Sequence, residues 1–130
     1  MDIMLEDIEV MYVPAEGGPE GAREAFDKLE SHFSRLSGRK FYGTFQDGEY
    51  RACVALQSED RPSELGLQTW VIPGGAYARR KVKDWTEKIP QLGEMFDALA
   101  EEFTVDPDRP SIEFYRSQSE LHLLLPILSD

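Results

Sequence analysis

The residues best suited to binding or catalysis in this chain are a glutamate and a tyrosine two positions apart, Glu113 and Tyr115. They alternate with apolar Ile112 and Phe114, as expected for a strand whose side chains point to opposite faces. If the apolar pair faces a helix, Glu113 and Tyr115 face a groove. A carboxylate among aromatic rings attracts cations, because a desolvated charge is costly until it is paired and each ring adds about 0.5 to 2 kcal/mol of cation–π attraction. The same spacing also fits a glutamate on a solvated strand face.

Five further aromatic residues lie near this expected groove, namely Trp70, Tyr77, Trp85, Tyr42 and Tyr50. Trp70 and Tyr77 flank a Pro-Gly-Gly segment, and Trp85 lies at the approach to a predicted helix. Counting back from a hairpin turn, Tyr42 is the equivalent of Glu113. Each ring also fits an ordinary core position. The candidate ligand-binding set is therefore Glu113, Tyr115, Trp70, Tyr77, Tyr42, Tyr50 and Trp85, of which Glu113 and Tyr115 are the catalytic candidates if the protein is a hydrolase.

Other chemistries have weaker support. His32 and His122 lack further cysteine, histidine or acidic residues at ligand spacing, so no metal site is expected. Cys53 lies in an apolar strand segment and is expected to be a buried, inert thiol. The pair Gly74-Gly75 is too short for a phosphate-binding loop and lacks the Lys-Ser/Thr that follows in one. No cofactor is expected.

Two amphipathic helices and several strands must position these residues. Apolar residues at steps of three and four predict helices over residues 20–36 and 90–103. Alternating and apolar runs predict strands over residues 8–13, 40–45, 49–56, 67–82, 111–116 and 120–127. Asp47-Gly48 and residues 117–119 are typical of tight turns that join strands into hairpins.

The two predicted helices resemble each other in sequence. Residues 24–33 and 94–103 are identical at five of ten positions. Each helix follows a strand that ends in Pro and Gly, and each precedes a hairpin, which indicates an internal repeat. The predicted fold is α+β: one domain, 1–130, made of duplicated strand-helix-strand-strand units of about 6–57 and 66–128. They would form an antiparallel sheet with two helices on one face and a ligand groove at the seam.

Composition limits the function classes. The chain carries 14 Lys plus Arg against 25 Asp plus Glu, for a net charge of −11. Direct nucleic-acid binding is not expected, because that affinity comes mostly from cations that neutralise phosphates. The apolar stretch over residues 121–128 is far shorter than the roughly 20 residues that span a bilayer, so no membrane segment is expected. A single cysteine and the lack of a signal-peptide pattern favour the cytoplasm.

The order of four segments resembles the GyrI-like small-molecule-binding domain, which is attached to AraC-type and MerR-type multidrug regulators. These segments are residues 70–78 (Trp-Val-Ile-Pro-Gly-Gly-Ala-Tyr-Ala), the helix with Phe96 and Leu99, residues 110–115 and residues 124–127. The first half is similar in layout, with looser motifs over residues 41–43 and 50–53. The chain differs from the regulators because it has no helix-turn-helix region, so it resembles a stand-alone member.

The resemblance implies the duplicated fold, with a pocket at the seam of the two units. In multidrug-binding members, an acidic residue at the Glu113 position contacts lipophilic cations among aromatic side chains. Stand-alone members are linked to drug sequestration, to protection of DNA gyrase and, in one branch, to hydrolysis of cyclopropane-containing genotoxins. The SOUL-type haem-binding proteins share the architecture, but His32 and His122 give little support to haem ligation here.

Three functions are compatible with the sequence. The first is binding of an amphipathic aromatic, possibly cationic, small molecule that is anchored by Glu113. The second is a small-molecule hydrolase of electrophilic genotoxins, in which Glu113 activates water and a tyrosine donates to the leaving oxygen. The third is a protein-interaction role, such as gyrase modulation, with an unknown protein partner for the acidic surface.

Overall fold

The computed structural model describes residues 2–128; Met1, Ser129 and Asp130 of the predicted 1–130 domain lie outside the described residues. The strands are β1 Asp2–Leu5, β2 Ile8–Ala15, β3 Phe41–Gln46, β4 Glu49–Ala55, β5 Gln68–Ile72, β6 Gly75–Lys83, β7 Ser111–Tyr115 and β8 Glu120–Pro126. The helices are α1 Ala22–Glu30, a single turn α2 Pro62–Leu65, and α3 Leu92–Glu102. Short 3-10 turns precede α1 at Gly18–Gly21 and α3 at Trp85–Glu87 and Ile89–Gln91.

The eight strands form one antiparallel sheet in the order β1-β6-β8-β7-β3-β4-β2-β5. β1 and β2 are consecutive in the chain yet far apart in this order, so the sheet must curl to bring its two ends together. The ends meet at Gly74, whose backbone N–H donates to Asp7 Oδ1 at 2.7 Å. A Cβ atom at Gly74 would lie 2.5 Å from the Leu5 carbonyl oxygen, so only glycine permits this approach. The predicted α+β class with an antiparallel sheet is confirmed.

Both main helices cover the same face of the sheet. α1 packs on Met11, Ala52 and Val54, whereas α3 packs on a separate cluster that includes Leu121 and Leu123. The opposite face lines the inside of the curl and forms a third apolar cluster, made of Val10, Tyr42, Cys53, Ile72, Tyr77, Ile112 and Leu124. The sheet is therefore buried on both faces, by helices on one and by its own curvature on the other. Duplication of the two halves remains a prediction, although β2-α1-β3-β4 and β6-α3-β7-β8 share one element order.

Two predicted boundaries were wrong, and one strand was not predicted. The first helix ends at Glu30 and does not reach Leu36, because the Ser31 hydroxyl donates to the Lys28 carbonyl at 2.6 Å and the chain then turns. The strand predicted over residues 67–82 is two strands, β5 and β6, separated where Pro73 cannot donate to the ladder. Strand β1 was not predicted, and it is stabilised by pairing with β6.

Cys53 is fully buried in the inner cluster. Burial raises the pKa of its thiol to about 12. The thiol is therefore neutral at physiological pH and too shielded to act as a nucleophile.

An ion pair fixes the segment that follows α1. The terminal nitrogens of Arg39 donate to both carboxylate oxygens of Asp60 at 2.7 Å, and the Arg39 guanidinium holds the pKa of Asp60 below its ordinary value. We expect Asp60→Asn to lower the free energy of unfolding by about 2 kcal/mol at neutral pH. This stabilisation is present above the ordinary carboxyl pKa and disappears as pH falls through the lowered one.

Urea unfolding at neutral pH and at about pH 2 measures this effect. Exposed Glu59 provides the matched control, since Glu59→Gln removes an adjacent charge without breaking a pair with Arg39. An equal loss of stability for Asp60→Asn at both pH values would contradict the assignment to the ion pair.

Candidate functional site

Strand β7 places Glu113 and Tyr115 on the helix-covered face of the sheet. Glu113 lies opposite Leu123 and Tyr115 lies opposite Leu121, and both leucines are in the core under α3. The predicted orientation, with Ile112 and Phe114 toward a helix, was therefore wrong; that pair faces the inside of the curl. The apolar character of Ile112 and Phe114 does not show which face of the sheet the helices cover, because both faces of this sheet are buried.

Two tyrosine hydroxyls converge on one oxygen of Glu113. Tyr50 Oη donates to Glu113 Oε1 at 2.6 Å, and Tyr115 Oη donates to the same oxygen at 2.8 Å. The two hydroxyl oxygens are 3.2 Å apart. Tyr50 reaches Glu113 from strand β4, across β3, so the three groups combine residues distant in sequence. Within residues 2–128, no side chain donates to the second oxygen, Oε2, and no cation forms an ion pair with Glu113.

Gly43 makes this convergence possible. It lies on β3 directly opposite Glu113 on β7. A Cβ atom at this position would lie 1.9 Å from the Tyr50 hydroxyl oxygen and 2.9 Å from Glu113 Oε1. The hydroxyl of Tyr50 thus occupies the space that any other side chain at position 43 would fill.

Aromatic rings from two further elements surround the three polar groups. Phe26 of α1 meets Tyr115 edge-to-face at 5.2 Å and Tyr50 at 6.4 Å between ring centroids. Trp85, from the turn before α3, meets Tyr115 at 5.1 Å, and its indole N–H donates to the Ser117 carbonyl. We refer to Glu113, Tyr50, Tyr115, Phe26 and Trp85 as the Glu113 cluster.

Phe26 was not predicted as a site residue. Its position on the apolar stripe of α1 is typical of a core residue, and the Phe26 side chain does pack in part against the core under α1. Phe26 is partly exposed and contacts Tyr115 because α1 lies beside β4. Helical periodicity in the sequence does not predict where α1 packs on the sheet.

Burial controls the protonation of the site. Desolvation raises the pKa of Glu113, and the hydrogen bonds from Tyr50 and Tyr115 offset part of that rise. Burial, together with the nearby carboxylate, raises the pKa of both tyrosines well above the ordinary value. Both hydroxyls therefore remain protonated donors at physiological pH. The site therefore contains a desolvated carboxylate in which one oxygen accepts two hydrogen bonds and the other has no side-chain donor among residues 2–128.

The remaining predicted residues lie on the other face of the sheet. Tyr42 stacks on Phe114 at 5.0 Å, and the buried Tyr77 donates its hydroxyl to the Pro73 carbonyl at 2.7 Å. Trp70 packs edge-to-face with Tyr12 at 6.3 Å. The seven predicted residues thus divide into Glu113, Tyr115, Tyr50 and Trp85, which come together, and Tyr42, Tyr77 and Trp70, which do not join them.

Two open clefts lie away from the Glu113 cluster. One, of about 500 Å³, lies between the segments around His32 and Asp60; the other, of about 310 Å³, includes Trp70 and Arg51. The seam at Glu113 is instead filled by aromatic side chains. No three His, Cys, Asp or Glu residues within 2–128 are grouped to hold a metal ion. The same residues include no helix long and apolar enough to cross a membrane.

Sequence comparisons give no match, either with models of protein families or with curated proteins. Solved structures do match over nearly the whole chain. Integron cassette protein VCH_CASS2 from Vibrio cholerae has a TM-score of 0.74 at 15% identity, covering 98% of this chain and 95% of that one. SAV2435, solved bound to tetraphenylphosphonium, has a TM-score of 0.62 at 9% identity, covering 99% and 93%. A hydrolase from Listeria innocua has a TM-score of 0.61 at 13% identity, covering 98% and 91%. The chain therefore shares the fold of these proteins.

Proposed function

We propose that the Glu113 cluster binds a lipophilic aromatic cation, with Glu113 as the anchoring charge. The observation that carries this proposal is a partly buried carboxylate without a countercharge among the described residues, set between rings from four different elements. A desolvated carboxylate is unfavourable until a cation pairs with it. A ligand that carries its charge inside an apolar shell supplies that pairing and gains cation–π contacts with the same rings.

Ligand entry is compatible with the way the helices pack. Phe26 packs with the α1 core, whereas Trp85 and Tyr115 pack with the separate α3 core. Parting Phe26 from Tyr115 would therefore open the seam while both cores remain packed. The contact that must be given up is one edge-to-face ring pair, worth about 0.5 to 1.5 kcal/mol.

Two similarities support the choice of ligand class. SAV2435, which shares the fold, was solved with tetraphenylphosphonium, a cation shielded by four phenyl rings. The sequence resemblance to the GyrI-like domain also implies an acidic, cation-contacting residue at the position of Glu113. The shared fold and the sequence resemblance both support a lipophilic cation as the ligand.

The two tryptophans allow a direct test, because only Trp85 belongs to the Glu113 cluster. In a Trp70→Phe variant, the remaining fluorescence reports on Trp85. We expect tetraphenylphosphonium to change this emission in a saturable manner. A Trp85→Phe variant, which keeps Trp70, provides the control and should respond weakly. If neither variant responds and calorimetry detects no heat of binding, the proposal fails.

The affinity should depend on pH through Glu113. Because the pKa of Glu113 is raised, the carboxyl becomes neutral at a pH above the ordinary value for glutamate. Cation binding should therefore be strongest at pH values above the raised pKa and should weaken as pH falls through it. Titration of the Trp70→Phe variant across this range measures the midpoint. A flat profile down to the ordinary glutamate pKa would contradict Glu113 as the anchor.

A second function is favoured by the hydroxyl geometry. A carboxylate with raised pKa is a suitable general base, and Tyr50 and Tyr115 lie within hydrogen-bond distance of it as proton donors. In a hydrolase of electrophilic cyclopropane compounds, the water oxygen would bond to a ring carbon as a ring C–C bond breaks and its electron pair passes to the conjugated carbonyl oxygen. Glu113 would take the proton of the attacking water, and a tyrosine would protonate that carbonyl oxygen. A fold neighbour is described as a hydrolase. Loss of turnover in Glu113→Gln, with retained binding of an uncharged substrate, would support this function; no turnover by the wild type would exclude it for the compounds tested.

A further inference from the structure

The cleft that includes Trp70 and Arg51 lies near the β3–β4 turn, on the face of the sheet opposite Glu113. Its volume is about 310 Å³, at the lower end of the range for small-molecule sites. It is lined by Thr44, Gln46, Asp47, Glu49, Arg51 and Trp70. The cleft therefore combines one aromatic ring with charged groups of both signs.

Arg51 is held in a fixed orientation beside this cleft. Its guanidinium carbon lies 4.4 Å from the ring centroid of Tyr12 and 4.5 Å from that of Trp70. The Tyr12 hydroxyl donates to Gln68 Oε1 at 3.0 Å, which fixes that ring in turn. A guanidinium that is already positioned loses little further side-chain entropy when it binds a ligand.

The terminal nitrogens of Arg51 are available. Its Nε donates to Glu49, and within residues 2–128 neither Nη1 nor Nη2 has a hydrogen-bond partner. These two nitrogens form the fork that matches a carboxylate in a bidentate arrangement. The cleft thus contains a recognition element for a carboxylate group.

Asp47 supplies the opposite charge. It is exposed in the hairpin turn, and no described side chain or backbone group donates to its carboxylate. A simple anion would meet repulsion from Asp47 and Glu49 and from the net charge of −11. A zwitterion avoids this repulsion because its ammonium group can pair with an acidic residue while its carboxylate pairs with Arg51.

We propose that this cleft is a second ligand site that binds a free α-amino acid with an aromatic side chain. The carboxylate of the ligand pairs with Arg51, its ammonium group pairs with Asp47, and its ring lies against Trp70. A molecule of this size suits the volume of the cleft. The site is separate from the Glu113 cluster, since the two lie on opposite faces of the sheet.

L-Phenylalanine is the probe, and the Trp85→Phe variant reports through Trp70. We expect a saturable change in Trp70 emission and shifts in the amide resonances of residues 44–51. Phenethylamine, which lacks the carboxylate, and 3-phenylpropionate, which lacks the ammonium group, should each bind at least about tenfold more weakly. Arg51→Lys should weaken L-phenylalanine binding by about tenfold, because lysine cannot form the bidentate pair.

Glu113→Gln is the matched control and should leave L-phenylalanine binding unchanged, which separates this proposal from the cation site. The proposal is overturned if L-phenylalanine produces neither emission change nor resonance shifts. It is also overturned if phenethylamine or 3-phenylpropionate binds as well as the amino acid. If Arg51→Lys binds equally well while its amide spectrum shows an intact fold, the role of Arg51 is wrong.

Discussion

Replacing Glu113 with glutamine is expected to weaken the binding of tetraphenylphosphonium by about 100-fold. Glutamine keeps the size of the side chain and an oxygen that can accept from Tyr50 and Tyr115, so the change removes the charge and little else. Removing one member of a desolvated charge pair costs about 2 to 5 kcal/mol of binding free energy, and 1.4 kcal/mol corresponds to a tenfold change. Calorimetry on the wild type and the variant measures the difference directly.

The same substitution should not destabilise the fold. The pKa of Glu113 is raised in the folded state, so the folded protein holds this proton to higher pH than the unfolded chain does. The carboxylate therefore lowers stability as pH rises from the ordinary glutamate value through the raised one. At pH values above the raised pKa, Glu113→Gln removes that cost, and the variant should unfold at an equal or higher temperature than the wild type. A gain in stability combined with a loss of binding is the signature of a residue kept for function.

Glu102→Gln is the control for the overall charge. Glu102 is exposed at the end of α3, and its replacement changes the net charge by the same amount as Glu113→Gln. Tetraphenylphosphonium should bind this variant as it binds the wild type. If both variants lose affinity equally, attraction comes from the field of the whole protein and Glu113 has no special part in it.

Gly43→Ala is expected to damage both the fold and the site. The added Cβ would lie 1.9 Å from the Tyr50 hydroxyl oxygen and 2.7 Å from Tyr50 Cζ, so the Tyr50 ring must move away from Glu113. Overpacking of this kind lowers the free energy of unfolding by about 1 to 3 kcal/mol. Displacement of Tyr50 also removes one of the two donors to Glu113 Oε1. Thermal or urea unfolding and tetraphenylphosphonium titration measure the two effects.

A second glycine provides the comparison. Gly93 lies in α3, and a Cβ there would meet nothing within 4 Å. Gly93→Ala should leave binding unchanged and raise stability by up to about 1 kcal/mol through helix propensity. In the Gly43→Ala background, Tyr50→Phe should restore part of the lost stability, because it removes the nearest clashing atom but leaves Cζ in place. If Gly43→Ala is as stable as the wild type, the packing assigned to position 43 is wrong.

The fold class and four of the five residues of the Glu113 cluster, all except Phe26, could be predicted from the sequence for identifiable reasons. Helical periodicity and turn residues indicate α1, α3 and the hairpins, because these depend on local side-chain patterns. Strand alternation correctly paired Glu113 with Tyr115 on one face. It assigned the wrong face because it assumed that only one face of the sheet is apolar, whereas the curl buries Ile112 on the other.

The way in which these residues come together depends on contacts between distant elements. Tyr50 reaches Glu113 only because β4 and β7 flank β3, and because Gly43 leaves space between them. Phe26 belongs to the cluster because of where α1 packs on the sheet. Trp70 lies outside it because β5 is the edge strand beyond β2, on the far side from β7. None of these placements follows from periodicity, since strand order is a property of the whole sheet.

We expect Glu113 to make this site selective for positive charge, and two ligands of nearly equal shape and opposite charge distinguish this selectivity from a preference for apolar rings. Tetraphenylphosphonium and tetraphenylborate have the same four phenyl rings and opposite charges. Calorimetric titration of the wild type with each ion should show binding of the phosphonium and none of the borate, and Glu113→Gln should remove the preference. Equal binding of both ions by the wild type, or an unchanged preference in Glu113→Gln, would contradict the claim.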